Sequence, residues 1–136
     1  MPSRERGSLE WDTYADSFAH RLYLIRKERG FSQEELAHRC GLHRNAVSNL
    51  ERGTSNRAPY ISDPQLSTVY RLARALDVPP LWLLPDVGML LPARSREQAT
   101  AMALSRVEAE VAALVAGERN DDTAAEPPIS EGADGR

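Results

Sequence analysis

The sequence predicts an all-α protein: a five-helix domain followed by a C-terminal helical extension and a disordered acidic tail. Three observations point there. Apolar residues recur at helical spacing in successive runs. Glycines and a capping box punctuate those runs. The chain has 136 residues, 41% of them apolar, enough for one small core.

Residues 1–12 are polar and include Pro2 and Gly7, which reads as a flexible N-terminal arm. A domain at 13–86 follows. Its first helix begins near Asp12 or Asp16, sets Phe18, Leu22 and Ile25 on one face, and ends at Gly30 as a C-cap. Ser32 opens the second helix with Glu35 three residues on, a capping box in which hydroxyl and carboxylate each satisfy a free backbone donor. Leu36, Ala37 and Cys40 form its inward face.

Gly41 and the link Leu42-His43 lead into a third helix at 43–52, with Ala46, Val47 and Leu50 inward and Gly53 as its cap. Residues 54–65 hold Ser55, Asn56, Pro59, Ser62 and Pro64 and read as a loop. The fourth helix spans 64–76, with Pro64 in its first turn and Leu66, Val69, Leu72, Ala73 and Leu76 as its stripe. Pro79 and Pro80 start a short fifth helix whose Leu81 and Leu84 close the core.

The extension at 87–116 carries a second capping box, Ser95 with Gln98, and then Leu104, Val107, Val111 and Leu114 at spacings of 3, 4 and 3. That short seam serves a homodimer or docks on its own domain. The tail at 117–136 has six acids, two arginines and little to bury, a disordered composition.

Charge is distributed unevenly. The formal net charge is -3, but residues 17–76 sum to +5, while residues 1–16 and 77–136 sum to -2 and -6. A cationic middle between acidic flanks suits a polyanionic partner, and the acidic segment is expected to weaken nonspecific association with it. One cysteine, Cys40, excludes an intramolecular disulfide; it reads as a small core residue. His20, His38 and His43 lack metal-ligand spacing, so neither metal nor cofactor is expected. The apolar runs are far short of a membrane span, no nucleophile-base spacing suggests an enzyme, and a cytoplasmic location is the default.

Residues 33–52 carry the functional signal. Two helices crossing steeply over a short turn need a small residue at their contact and a turn residue tolerant of left-handed backbone; Ala37 and Gly41 stand at those places. A plain helical hairpin shares the hydrophobic spacing but does not require Ala37, Gly41, Val47 and the ending LERG together. The run GFSQEELAHRCGLHRNAVSNLERG, followed by RALDV and PLWLL, resembles the lambda-repressor-like, or XRE, family of transcriptional regulators over about residues 16–85.

That resemblance implies a five-helix domain that binds operator DNA as a two-fold dimer, its third helix in the major groove. Arg44, Asn45, Ser48 and Asn49 would then contact bases, arginine gripping guanine and asparagine adenine; otherwise they form a polar solvent face. Gln33 would hold a phosphate at the second helix's N-terminus, or is simply solvated. His43 caps the third helix or touches phosphate. Thr54, Asn56 and Arg57 match a backbone-contacting loop or form a plain polar turn, in a link several residues longer than the family's. Arg26 and Glu51 match a family ion pair. Trp82 is a dimer contact or a core residue.

The expected function is a sequence-specific regulator of transcription, a repressor on a palindromic operator, with double-stranded DNA as partner and an unspecified effector. An antitoxin-like protein that also binds a protein partner through its C-terminal segment is the alternative. A helical module that binds only protein is a third reading.

Overall fold

Helices α1 (Trp11–Arg29), α2 (Gln33–Cys40), α3 (Arg44–Arg52), α4 (Leu66–Leu76) and α5 (Arg96–Ala124), with a 3-10 turn at Pro80–Trp82, make up the fold. The computed structural model describes residues 9–58, 60–91 and 96–124, except for the side chains at 96–104 and 121–124. The chain belongs to the all-α class. α1 is the hub, packing against α3, α4 and α5, while α2 packs on α3 and α4. Leu22 and Ile25 of α1 meet Leu36, Val47, Leu72, Leu76 and Leu83 in a closed core.

Local signals set the helix ends. Gly30, Gly41 and Gly53 are left-handed C-caps, as expected. The Ser32 box forms by half: Ser32 Oγ accepts from the Glu35 backbone N–H at 3.0 Å. The Glu35 carboxylate turns instead to Arg39 one turn on, at 2.8 Å. A charge-assisted partner outcompetes a neutral amide for that oxygen. The Ser95 box lies outside the described residues.

Four expectations change. α1 starts at Trp11, whose indole Nε1 donates to the Ser62 carbonyl at 2.8 Å, and Asp12 is buried. The end of the expected arm is therefore part of the fold, and residues 1–8 lie outside the described set. Leu66 is 66% exposed; about 100° of rotation per residue puts it at the edge of the stripe centred on Val69, Leu72, Ala73 and Leu76. The fifth helix of the domain is one 3-10 turn, too short to present two residues on one face. Leu81 is thus 51% exposed, and Leu83 closes the core in its place.

The largest change concerns α5. Val107, Val111 and Val115 are buried and join the core cluster, with α5 lying along α1 of the same chain. Two of the expected seam residues, Val107 and Val111, are therefore covered by their own domain and are not available to a second copy. An i, i+4, i+8 stripe on a straight helix faces one flat partner, which explains why Val115 replaces Leu114 in the contact. Leu114 is half-buried, and the Leu104 side chain is outside the described set.

Ion pairs flank that stripe. Arg21 bonds Glu110, His20 Nε2 lies 3.6 Å from Glu108, Arg29 holds Glu118 through contacts of 2.8 and 3.0 Å, and Arg119 reaches Glu28. These pairs give the helix partners beyond the apolar stripe, and α5 continues through Gly117 to Ala124, past the expected end at 116.

The Arg29 hydrogen bonds hold the Glu118 carboxyl below its ordinary 4.5. A depressed folded-state pKa contributes stability that is complete above the ordinary value and lost as pH falls through the lower, folded one. The difference in melting temperature between the parent and Glu118→Gln should therefore be constant at neutral pH and shrink only below about pH 4.5. Thermal unfolding of both chains across a pH series measures it.

Candidate nucleic-acid interface

The geometry of α2 and α3 begins at their turn. Ala37, 3% exposed, lies at the crossing, and the Leu42 N–H donates to its carbonyl at 2.9 Å. Gly41 takes φ of 66°, and a Cβ there would stand 3.1 Å from the Arg71 guanidinium. Arg71 itself reaches from α4 to donate to the Cys40 carbonyl at 3.0 Å and the Gly41 carbonyl at 2.8 Å. It supplies donors to the exposed carbonyl end of α2, where a cation is favoured. The spacing of Arg71 on α4 gives no hint in the sequence of a partner in the turn.

The far end of α3 is fixed by a second guanidinium. Arg26 Nε and Nη2 donate to the two carboxylate oxygens of Glu51 at 2.7 and 2.8 Å, and Nη1 donates to the Phe31 carbonyl at 2.7 Å. Both side chains are buried, 7% and 4% exposed. The Glu51 hydrogen bonds raise the Arg26 pKa despite burial, so the guanidinium stays charged.

Between these anchors, α3 buries Val47 and Leu50 and turns its other residues outward. Arg44 and Asn45 are exposed at its N-terminal end, and Asn49 is half-exposed. Among the described residues, no side-chain hydrogen bond or ion pair engages these three. Ser48 differs, since its hydroxyl accepts from Arg52 at 2.6 Å. Ala46, expected inside, is half-exposed because it lies between the buried and outward faces. His43 occupies the N-cap position, but its side chain makes no capping hydrogen bond, which removes one of its two expected roles. Gln33 is the first residue of α2 and is half-buried.

The described residues of the long link after Gly53 double back as a narrow hairpin. Thr54 and Ile61 form an antiparallel bridge, the Ser55 N–H donates to the Tyr60 carbonyl at 3.2 Å, and the Ser62 N–H donates to the Gly53 carbonyl at 2.9 Å. The Trp11 indole closes its base through Ser62. This hairpin, α3 and the start of α4 border an open depression of about 300 Å³ whose lining includes Ala46, Asn49, Thr54, Asn56 and Arg57. The fold thus brings one expected base reader together with all three loop residues. Gln33, His43, Arg44, Asn45 and Ser48 lie outside that depression. Cys40 is buried, its Sγ 3.7 Å from the Ala37 carbonyl, and burial pushes its thiol pKa up. Among the described residues no cluster of side chains could hold a metal ion, and no helix is long and apolar enough to cross a membrane.

A short helix packed across a second one, joined by a glycine turn and presenting an outward polar face, defines a helix-turn-helix. Residues 22–83 match the family described as Helix-turn-helix. The chain is 43% identical over 60 residues to a hypothetical transcription factor of Neisseria meningitidis, covering 44% of this chain and 50% of that protein. It is 39% identical over 72 residues to antitoxin HigA1 of Mycobacterium tuberculosis, covering 53% and 44%. It is 37% identical over 68 residues to the control protein C.BamHI of Bacillus amyloliquefaciens, covering 49% and 75%. The chain belongs to the helix-turn-helix family, of the XRE type. It spans about half the length of the first two of these relatives.

Glu51→Ala leaves the Arg26 charge buried without its carboxylate, which should cost on the order of 3 to 5 kcal/mol. Urea unfolding measures it, and an unchanged midpoint would remove the pair from any role in fixing α3.

Proposed function

We propose that this chain is a sequence-specific transcriptional regulator that sets α3 in the major groove of a palindromic operator and represses from it. One observation carries the reading: Arg44, Asn45 and Asn49 stand outward, unengaged by any described residue, on a helix whose last turn is fixed by Arg26 and whose preceding turn is held by Arg71. Polar groups left unspent on a braced helix are suited to base edges, Arg44 to guanine and Asn45 or Asn49 to adenine. Ser48 joins them through the Arg52 contact. Gln33, His43, Thr54, Asn56 and Arg57 are assigned to phosphates, which set register without reading sequence. The similarity to a transcription factor and a control protein supports the same reading.

The working form is a homodimer, because one α3 spans few base pairs and two half-sites sit about 34 to 36 Å apart. With Val107 and Val111 spent inside the domain, the contact surface includes Trp82, half-buried beside the apolar residues of the following loop. The protein acts in the cytoplasm, at the nucleoid, without an enzymatic step. A second reading rests on the similarity to HigA1: an antitoxin-like protein whose C-terminal part also binds a protein partner. Co-purification with a small partner encoded beside it distinguishes the two.

In-vitro selection of bound duplexes should enrich one motif with two-fold symmetry. Arg44→Ala and Asn49→Ala should each relax one position per half-site and cost about 1 to 3 kcal/mol there. Arg57→Ala should weaken all sequences equally and reduce the salt slope by about one per site. Selection that enriches nothing would sink the reading.

A further inference from the structure

Two kinds of seam hold this molecule together. Within the domain, α2, α3 and α4 pack on α1 or on one another, and Leu22, Ile25, Leu36, Leu72, Leu76 and Leu83 fill the space between them. Of the helices, α5 packs extensively on α1 alone, and its described side chains add three buried residues, Val107, Val111 and Val115. That apolar seam is thin. Charge surrounds it: Arg21 pairs with Glu110, Arg119 with Glu28 and Arg29 with Glu118 at 2.8 Å, while His20 lies 3.6 Å from Glu108 and Arg106 lies 3.6 Å from Asp86.

These pairs differ from the one inside the domain. Arg26 and Glu51 are 7% and 4% exposed, whereas each pair along α5 has a partner open to water: Glu110 is 42% exposed, Glu118 33%, Arg106 40%, Glu108 62% and Arg119 72%. Salt screens solvent-facing charges strongly, the Debye length falling from about 10 Å at 0.1 M to about 3 Å at 1 M, and screens buried pairs much less. One exposed pair is worth up to about a fivefold factor in an equilibrium constant, so several together decide whether a thin seam stays closed. Salt does not screen the valine contacts.

Release of α5 does not require that it unfold. Residues 105–116 read SRVEAEVAALVA, rich in alanine, glutamate and leucine, and the helix has 29 residues, well beyond the length of about 12 to 15 below which an isolated helix is marginal.

We propose that α5 is a strap whose docking on α1 is set by ionic strength, closed at low salt and released at higher salt while α1 to α4 stay folded. Release bares two surfaces at once: Leu24 and the charged groups of His20, Arg21 and Arg29 on α1, and the valine stripe on α5, where Val111 and Val115 now lie beside Leu24. The strap works independently of any DNA contact.

The test is amide hydrogen exchange on the full chain, read peptide by peptide by mass spectrometry, with α4 as the internal reference. Protection across 107–115 should fall at least about tenfold as sodium chloride rises from about 0.05 to about 0.5 M, while protection of α4 changes less than about twofold. Glu118→Gln combined with Arg119→Gln removes two pairs and should flatten the salt dependence. Val111→Ala should lower protection of α5 at every salt concentration and leave the salt dependence unchanged. The proposal is overturned if α5 and α4 respond to salt alike, if α5 is unprotected even at low salt, if the doubly substituted chain keeps the parent's salt dependence, or if Val111→Ala abolishes it. None of these readouts involves DNA, so failure here leaves the regulator reading standing.

Discussion

The position of the last turn of α3 depends on one guanidinium. Arg26 bonds the Glu51 carboxylate with two donors and the Phe31 carbonyl with its third, so one planar group ties α1, the link into α2 and the last turn of α3 together. A buried ion pair is weak evidence for net stability, because desolvation consumes much of the attraction. Its value here is geometric: the fork accepts one orientation of the carboxylate, so the end of α3 has one position relative to α1. Arg71 does the same at the other end by holding the carbonyls of the turn. The outward residues of α3 are then presented by a braced rod whose direction the core alone would define less sharply.

Much of this was legible in the sequence. Helical spacing and the caps at Gly30, Gly41 and Gly53 mark α1 to α3, and the pairing of Ala37 with Gly41 marks the turn, because these depend on local backbone chemistry. Contacts that join distant residues were less visible. Nothing around Trp11 announces Ser62 as its acceptor, and nothing on α4 announces the reach of Arg71 into the turn. The hairpin at 54–61 escaped because its strand character is one bridge long and its residues are turn formers. For the interface, residue identities on α3 were readable, whereas the grouping of Asn49 with Thr54, Asn56 and Arg57 needed the hairpin's path.

The uneven charge takes on a different meaning in three dimensions. Arg21 and Arg29 belong to the cationic middle, and Glu110 and Glu118 to the acidic end, yet they pair across the α1–α5 contact. Part of the asymmetry is therefore internal cohesion. Arg26 is spent on Glu51 in the same way. The positive charge left facing outward comes from residues such as Arg44, Arg52 and Arg57, which lie on α3 or directly after it. Lys27 on α1 and Arg74 on α4 are exposed as well.

Gly53 explains how a long link coexists with a well-placed α3. A Cβ at this position would come within 3.1 Å of the Asp16 Oδ1 and 3.8 Å of the Ala15 carbonyl, so the end of α3 is pressed against the first half of α1. The chain leaves that contact at a fixed point, and Ser62 returns to it by bonding the Gly53 carbonyl. Whatever lies between residues 54 and 61 hangs from a closed loop neck. Additional residues there lengthen the hairpin without exerting leverage on the helix before it, so this segment can vary in length and composition while the neighbouring helix keeps its place.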